Sequence, residues 1–203
     1  MDAPFDQRIA RVLVRPLANT PISPNHLTTV TVVLALSGAA LFATGDPTGV
    51  AWGAGLFVLA RFLDHFDGEL ARLQGSSSRF GYYYDYVAGA VSYAALFLGM
   101  GIGLRETFLG GVAVALGATA TACALVSLFL NLDIDRQQGG DETGDAVGYP
   151  GFAGFELEDG IYLLAPITWL GWLLPFFVAA ALGATVYTVW TLATLLRLRR
   201  RES

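Results

Sequence analysis

The chain has 203 residues, of which 54% are apolar and 14% charged, with a formal net charge of −5. A soluble domain usually carries about 25% charged residues, and the mean hydropathy here is +0.54. These values argue against a soluble enzyme, a nucleic-acid module and a disordered tail, and point to an all-α polytopic membrane protein whose partner is the lipid bilayer. The single cysteine, Cys123, allows no intrachain disulfide, and no Cys/His cluster offers a zinc site. Every basic residue is an arginine.

In chain order, Phe5, Ile9, Val12 and Leu13 recur near helical spacing, with Arg8, Arg11 and Arg15 between them. Residues 1–20 are therefore expected to form an interfacial helix in the headgroup layer. The first apolar run starts only near His26, and no small-residue cleavage site follows it, so no secretory leader is expected. Six stretches then approach the length of a membrane-spanning helix: His26–Thr44, Thr48–Leu73, Phe80–Gly103, Thr107–Leu132, Gly160–Leu174 and Pro175–Leu198. The fifth contains Pro166 and is ended by Pro175, which predicts a tight turn near Trp172–Pro175. Asp133–Glu158 is acidic and glycine-rich without apolar periodicity, and reads as a cytoplasmic loop. With six crossings, every arginine outside the spans except Arg105 falls on one side, which predicts that both termini are cytoplasmic.

The second stretch carries Arg61, Asp64, His65, Asp67, Glu69 and Arg72. A charge at the bilayer centre costs roughly 2.5–3.5 kcal/mol, so such residues are expected to face inward and be compensated. Asp64 and Asp67 lie three apart on one helix face, with Gly68 and Ala71 leaving room beside them. The third stretch places Gly81, Asp85, Ala88, Gly89 and Ser92 on one face. A connection of about six residues makes the two helices antiparallel neighbours, so the acidic faces are expected to meet near the cytoplasmic side. Three converging carboxylates suit a hard divalent cation, Mg²⁺ or Mn²⁺, with Arg72 able to give bidentate contacts to phosphate oxygens. The plainer alternative is a structural polar network in which Arg61 pairs with Asp64.

Asp64-x-x-Asp67-Gly68-x-x-Ala71-Arg72, eight residues, Gly81, three residues, Asp85 resembles the signature of the CDP-alcohol phosphatidyltransferase family, D-x-x-D-G-x-x-A-R-x8-G-x3-D-x3-D. Ser23-Pro24-Asn25-His26-Leu27-Thr28 is similar to the family's lead-in to the first span. The resemblance implies an enzyme of phospholipid biosynthesis. Such an enzyme moves a phosphatidyl-type group from a CDP-linked lipid donor to a small alcohol or phospho-alcohol acceptor, releasing CMP. It also implies six helices around a cavity, a homodimer, and two divalent ions held by four aspartates. Carried over by position, Asp64, Asp67 and Asp85 are the metal ligands. Asn25, Thr28, Gly68, Ala71, Arg72, Ser78 and Gly81 belong to the CDP-donor site.

The fourth aspartate position is occupied by Gly89. In the family that carboxylate is a metal ligand and the base for the acceptor hydroxyl, and glycine can be neither. Three readings stay open. A substitute base could be His65, Glu69, Asp133, Asp135, Glu156 or Glu158. One metal with water as base could serve instead. Or the protein binds CDP-lipids without turnover. Arg61 either offsets acidity in place of a second ion or is a hydrated, snorkelling side chain. A six-span transporter with an acidic pathway accounts for the buried charges but not for the motif. Tyr82, Tyr83, Tyr84 and Tyr86 read as an interfacial girdle and pocket wall, and Trp169, Trp172 and Trp190 as belt or packing residues.

Overall fold

In a computed structural model, residues 5–137, 151–152 and 155–202 are described, without the side chains of residues 5–8, 151–159, 201 and 202. Seven α-helices follow one another among the described residues. They are α1 (Phe5–Val14), α2 (Pro24–Ala43), α3 (Pro47–Gln74), α4 (Arg79–Gly103), α5 (Gly111–Gln137), α6 (Leu164–Trp169) and α7 (Leu173–Glu202). A two-residue antiparallel ladder pairs β1 (Gly151–Phe152) with β2 (Phe155–Glu156).

Local chemistry sets the helix boundaries. Ser23 caps α2, its Oγ accepting from the His26 N–H while His26 Nδ1 accepts from the Ser23 N–H, with Pro24 in the first turn. Asp46 caps α3 through the Gly49 N–H at 2.8 Å, and Pro47 follows it. Gly75, at φ 58°, ends α3 in the left-handed conformation that glycine adopts without strain. Ser78 then caps α4 through the Gly81 N–H at 3.1 Å.

Four helices, α2, α4, α5 and α7, are long and apolar enough to cross a membrane. With the family assignment below, they make this an integral membrane protein. The 28 residues of α3 span about 42 Å, more than a hydrocarbon core of about 30 Å, but its C-terminal half is too charged to meet the same standard. The fifth expected span is not one helix. A 3₁₀ segment, Leu157–Leu163, leads into the six residues of α6. The chain then turns at Leu170–Trp172, where Gly171 has φ 80°, a little earlier than expected. Pro175 does not end a helix: it sits in the first turn of α7, where its missing N–H would have had no intrahelical partner. The expected loop at Asp133 begins later, because α5 continues to Gln137; residues 138–150, 153 and 154 lie outside the described set.

The bundle is organised around α2. It packs on both α3 and α4; α4 packs on α5, α5 on α7, and α6 on α3. Its inner face is Thr28, Thr31, Ala35, Gly38, Ala39 and Phe42. Small residues let backbones approach: a Cβ on Gly99 would lie 2.3 Å from the Ala39 carbonyl oxygen, and one on Gly53 would lie 2.7 Å from that of Gly38. The expected side-by-side packing of α3 and α4 is thus replaced by packing of each on α2. Larger side chains span from α3 to α4, with Phe57 meeting Tyr93 edge-on at 5.9 Å between centroids. One face of α1, Ala10 and Val14, packs with Phe66 and Leu70 of α3. Val12 and Leu13, 60% and 53% exposed, point away from the bundle.

Candidate functional site

Oxygen atoms of Asp64, Asp67 and Asp85 all lie within 4.8 Å of one another. The cluster is graded in exposure, with Asp67 buried, Asp64 half-buried and Asp85 exposed. Each acid is held differently. Asp67 Oδ2 accepts from Thr28 Oγ1 of α2 at 2.5 Å, and its Oδ1 accepts from the Gly68 N–H at 2.6 Å. Asp64 Oδ2 accepts from Arg61 Nη1 at 2.7 Å. The Arg61 guanidinium is buried, and its carbon lies 5.2 Å from the Tyr93 ring centroid. Buried acids of like charge repel strongly unless compensated. Arg61 provides one positive charge, and a hard divalent cation suits the remaining all-oxygen donor set.

The residues expected to hold the CDP donor gather in two groups. Asn25, Ser78 and Gly81 converge where α2 and α4 begin: a Cβ on Gly81 would meet Ser78 Oγ at 3.2 Å and Asn25 Oδ1 at 3.3 Å. Thr28, Gly68 and Arg72 form the second group beside Asp67. The Arg72 guanidinium lies over Gly68, since a Cβ there would be 3.6 Å from Nη2. Thr28 is buried and grips Asp67, so it acts on a carboxylate rather than at the pocket surface. Ala71 contributes its carbonyl to the cap of α3, accepting from the Ser76 N–H at 3.0 Å.

The candidate substitute bases are already engaged. Glu69 is buried and clasped by two arginines. It accepts from Arg11 Nε at 3.0 Å, from Arg11 Nη2 at 3.2 Å and from Arg72 Nη2 at 2.9 Å. His65 Nε2 pairs with the Tyr162 hydroxyl at 3.1 Å. Asp135 is buried and accepts from the hydroxyls of Tyr82 at 2.6 Å and Tyr86 at 2.5 Å, while Asp133 pairs with Arg199. The side chains of Glu156 and Glu158 lie outside the described set. At Gly89, a Cβ would meet nothing within 4 Å.

The tyrosines expected as a girdle serve as clasps between helices. Besides Tyr82 and Tyr86 on Asp135, Tyr84 pairs with Thr29 at 2.9 Å, and Tyr83 accepts from Arg136 at 3.0 Å. Arg11 and Tyr93 were not among the expected site residues, and the pairing of Asp135 with Tyr82 and Tyr86 was not foreseen. Each contact joins positions far apart in sequence, so no local spacing announces it.

Solved structures with this architecture include Mycobacterium tuberculosis phosphatidylinositol phosphate synthase with CDP-DAG bound. It has a TM-score of 0.69 and 21% identity, over 93% of this chain and 94% of that one. The same enzyme in complex with manganese and citrate gives a TM-score of 0.66 and 19% identity, over 92% and 88% of the two chains. Among sequence relatives, a phosphatidylinositol phosphate synthase of Corynebacterium glutamicum is 37% identical over 93 residues, 43% of this chain and 41% of the relative. A bifunctional IPC transferase and DIPP synthase of Rubrobacter xylanophilus is 34% identical over 110 residues, 54% of this chain and 24% of the relative. The alignments thus span less than half of each relative's length. A family profile described as CDP-alcohol phosphatidyltransferase matches residues 21–196, from the lead-in to α2 through most of α7. A match across that much of the chain, with all three clustered aspartates inside it, makes this protein a member of the CDP-alcohol phosphatidyltransferase family.

Proposed function

We propose that the chain is a membrane transferase of phospholipid biosynthesis. It moves a phosphatidyl-type or archaetidyl-type group from a CDP-linked lipid to the hydroxyl of a small alcohol or phospho-alcohol, releasing CMP. The observation that carries this reading is the convergence of Asp64, Asp67 and Asp85, with Arg72 lying over Gly68 beside them. The names of the relatives, which include phosphatidylinositol phosphate synthases and a structure with CDP-DAG bound, support the donor class.

Asp64, Asp67 and Asp85 would hold a divalent cation, Mg²⁺ or Mn²⁺, which when bound supplies positive charge to the diphosphate and its departing CMP. The chain's own groups prepare that site. Thr28 fixes the orientation of Asp67, and Arg61 neutralises Asp64. Arg72 offers a fork to phosphate oxygens, and Asn25, Ser78 and Gly81 shape the second wall of the donor site. Position 89 offers the acceptor hydroxyl no carboxylate, so its proton passes to water. Six crossings with both termini cytoplasmic, with α3 and the 3₁₀–α6 segment completing the set, agree with the arginine distribution. That topology puts the site near the inner face. The exposed apolar faces of the helices leave surface for a homodimer.

Gly89 favours a second reading, a CDP-lipid-binding homologue that does not turn over. Purified protein supplied with CDP-diacylglycerol, Mn²⁺ and a panel of alcohols distinguishes the two. Release of CMP with one acceptor supports the transferase. Binding of donor with no release from any acceptor supports the second reading.

A further inference from the structure

The Glu69 carboxylate is almost fully buried, yet it stands between two guanidiniums. Arg11, from the surface helix α1, takes both of its oxygens. Arg72 takes one, while its own side chain stays 42% exposed over Gly68. Gly68 in turn donates its N–H to Asp67, so the clasp ends beside the acid cluster. One carboxylate shared by two guanidiniums cannot neutralise both. Without Arg11, Glu69 would turn wholly to Arg72 and draw it down onto the buried carboxylate.

We propose that Glu69 and Arg11 are positioning residues: docking of α1 saturates Glu69, which fixes Arg72 over Gly68 and preserves its charge for a nucleoside diphosphate. The inference rests on the functional reading above and adds α1 to it. It makes the interfacial helix, with Val12 and Leu13 turned outward and Ala10 and Val14 turned inward, part of the donor site. A chain whose α1 leaves the surface loses its grip on the diphosphate even with all three aspartates in place.

The test measures binding of CDP in the presence of Mn²⁺ by titration calorimetry, using the full chain in phosphatidylcholine–phosphatidylglycerol nanodiscs. Arg11→Gln removes the far side of the clasp without touching Arg72. Its CDP affinity is expected to fall about fivefold to tenfold, the loss of roughly one charge-assisted contact, with Mn²⁺ affinity unchanged. Phe177→Leu loosens the core around α7 and leaves α1 and Arg11 as they are, so it is expected to lower the melting temperature and leave CDP affinity as it was. A merely structural role predicts the opposite pairing, with both variants weakened in proportion to lost stability. Unchanged CDP affinity in folded Arg11→Gln overturns this inference alone. Failure of the unsubstituted chain to bind CDP overturns the functional reading and this inference with it.

Discussion

Arg61 Nη1 donates to Asp64 Oδ2 at 2.7 Å from one turn earlier on α3, while its guanidinium rests against the Tyr93 ring of α4. The pair places a permanent cation at the edge of the acid cluster, on the side where α3 faces α4. Three carboxylates and one guanidinium sum to −2, the charge that one divalent cation cancels. Breaking a buried pair from one side leaves an uncompensated charge and costs about 3 kcal/mol. Arg61→Met is therefore expected to melt several degrees lower without metal and to regain much of that loss on addition of Mn²⁺. Thermal unfolding with and without Mn²⁺ checks it; equal metal stabilisation of Arg61→Met and the unsubstituted chain would remove Arg61 from the site.

Gly89 lies one turn beyond Asp85 on α4, and its missing side chain opens onto space. A side chain added there meets no backbone, and an interior glycine already costs its helix up to about 1 kcal/mol relative to alanine. Gly89→Asp is thus expected to fold, to bind Mn²⁺ more tightly and to release CMP faster than the unsubstituted chain. Initial rates of CMP release with the preferred acceptor measure this. A slower Gly89→Asp would show that the chain has adapted to glycine.

Much of the site was legible because its signature is a spacing within two helices joined by a short connection. A helix face is fixed by that spacing alone, and Asp64, Asp67 and Asp85 meet as the pattern requires. The organising role of α2 was not legible, since Gly38 and Ala39 carry no chemistry and matter only through the backbones that approach them. Nor was the engagement of the spare acids. Glu69 and Asp135 resemble candidate bases in sequence, but each is satisfied by partners from another helix. The shape of the fifth stretch was not legible either, since composition alone marks Gly160–Leu174 as apolar, and the chain folds there as a 3₁₀ segment, a short helix and a turn.

Thr28 reaches Asp67 from α2, so its hydroxyl ties the central helix to the cluster. Thr28→Val keeps the shape and deletes the donor. A buried acceptor that loses its partner costs about 1–3 kcal/mol. The expected outcome is Mn²⁺ binding altered by about tenfold, a factor that 1.4 kcal/mol produces, with the melting temperature lowered. Direct titration with Mn²⁺ measures it, and an affinity equal to that of the unsubstituted chain would reduce Thr28 to a packing residue.

Close approach of α2 and α4 predicts a strong steric effect far from the chemistry. A Cβ on Gly103 would stand 2.0 Å from the Phe42 carbonyl oxygen, and one on Gly99 would stand 2.3 Å from that of Ala39. Neither backbone can yield without parting the helices. Gly99→Val is expected to abolish monodisperse, folded protein, whereas Gly183→Val, where a Cβ meets nothing within 4 Å, is expected to behave as the unsubstituted chain. Size-exclusion profiles in detergent compare the two.

The most direct measurement is nucleotide binding that depends on metal. Purified unsubstituted chain should bind CDP in the presence of Mn²⁺ and lose that binding on chelation. Asp64→Asn and Asp85→Asn should each insert and fold yet bind CDP no better with Mn²⁺ than without it. Mn²⁺-dependent CDP binding retained in both variants would contradict the account at its centre.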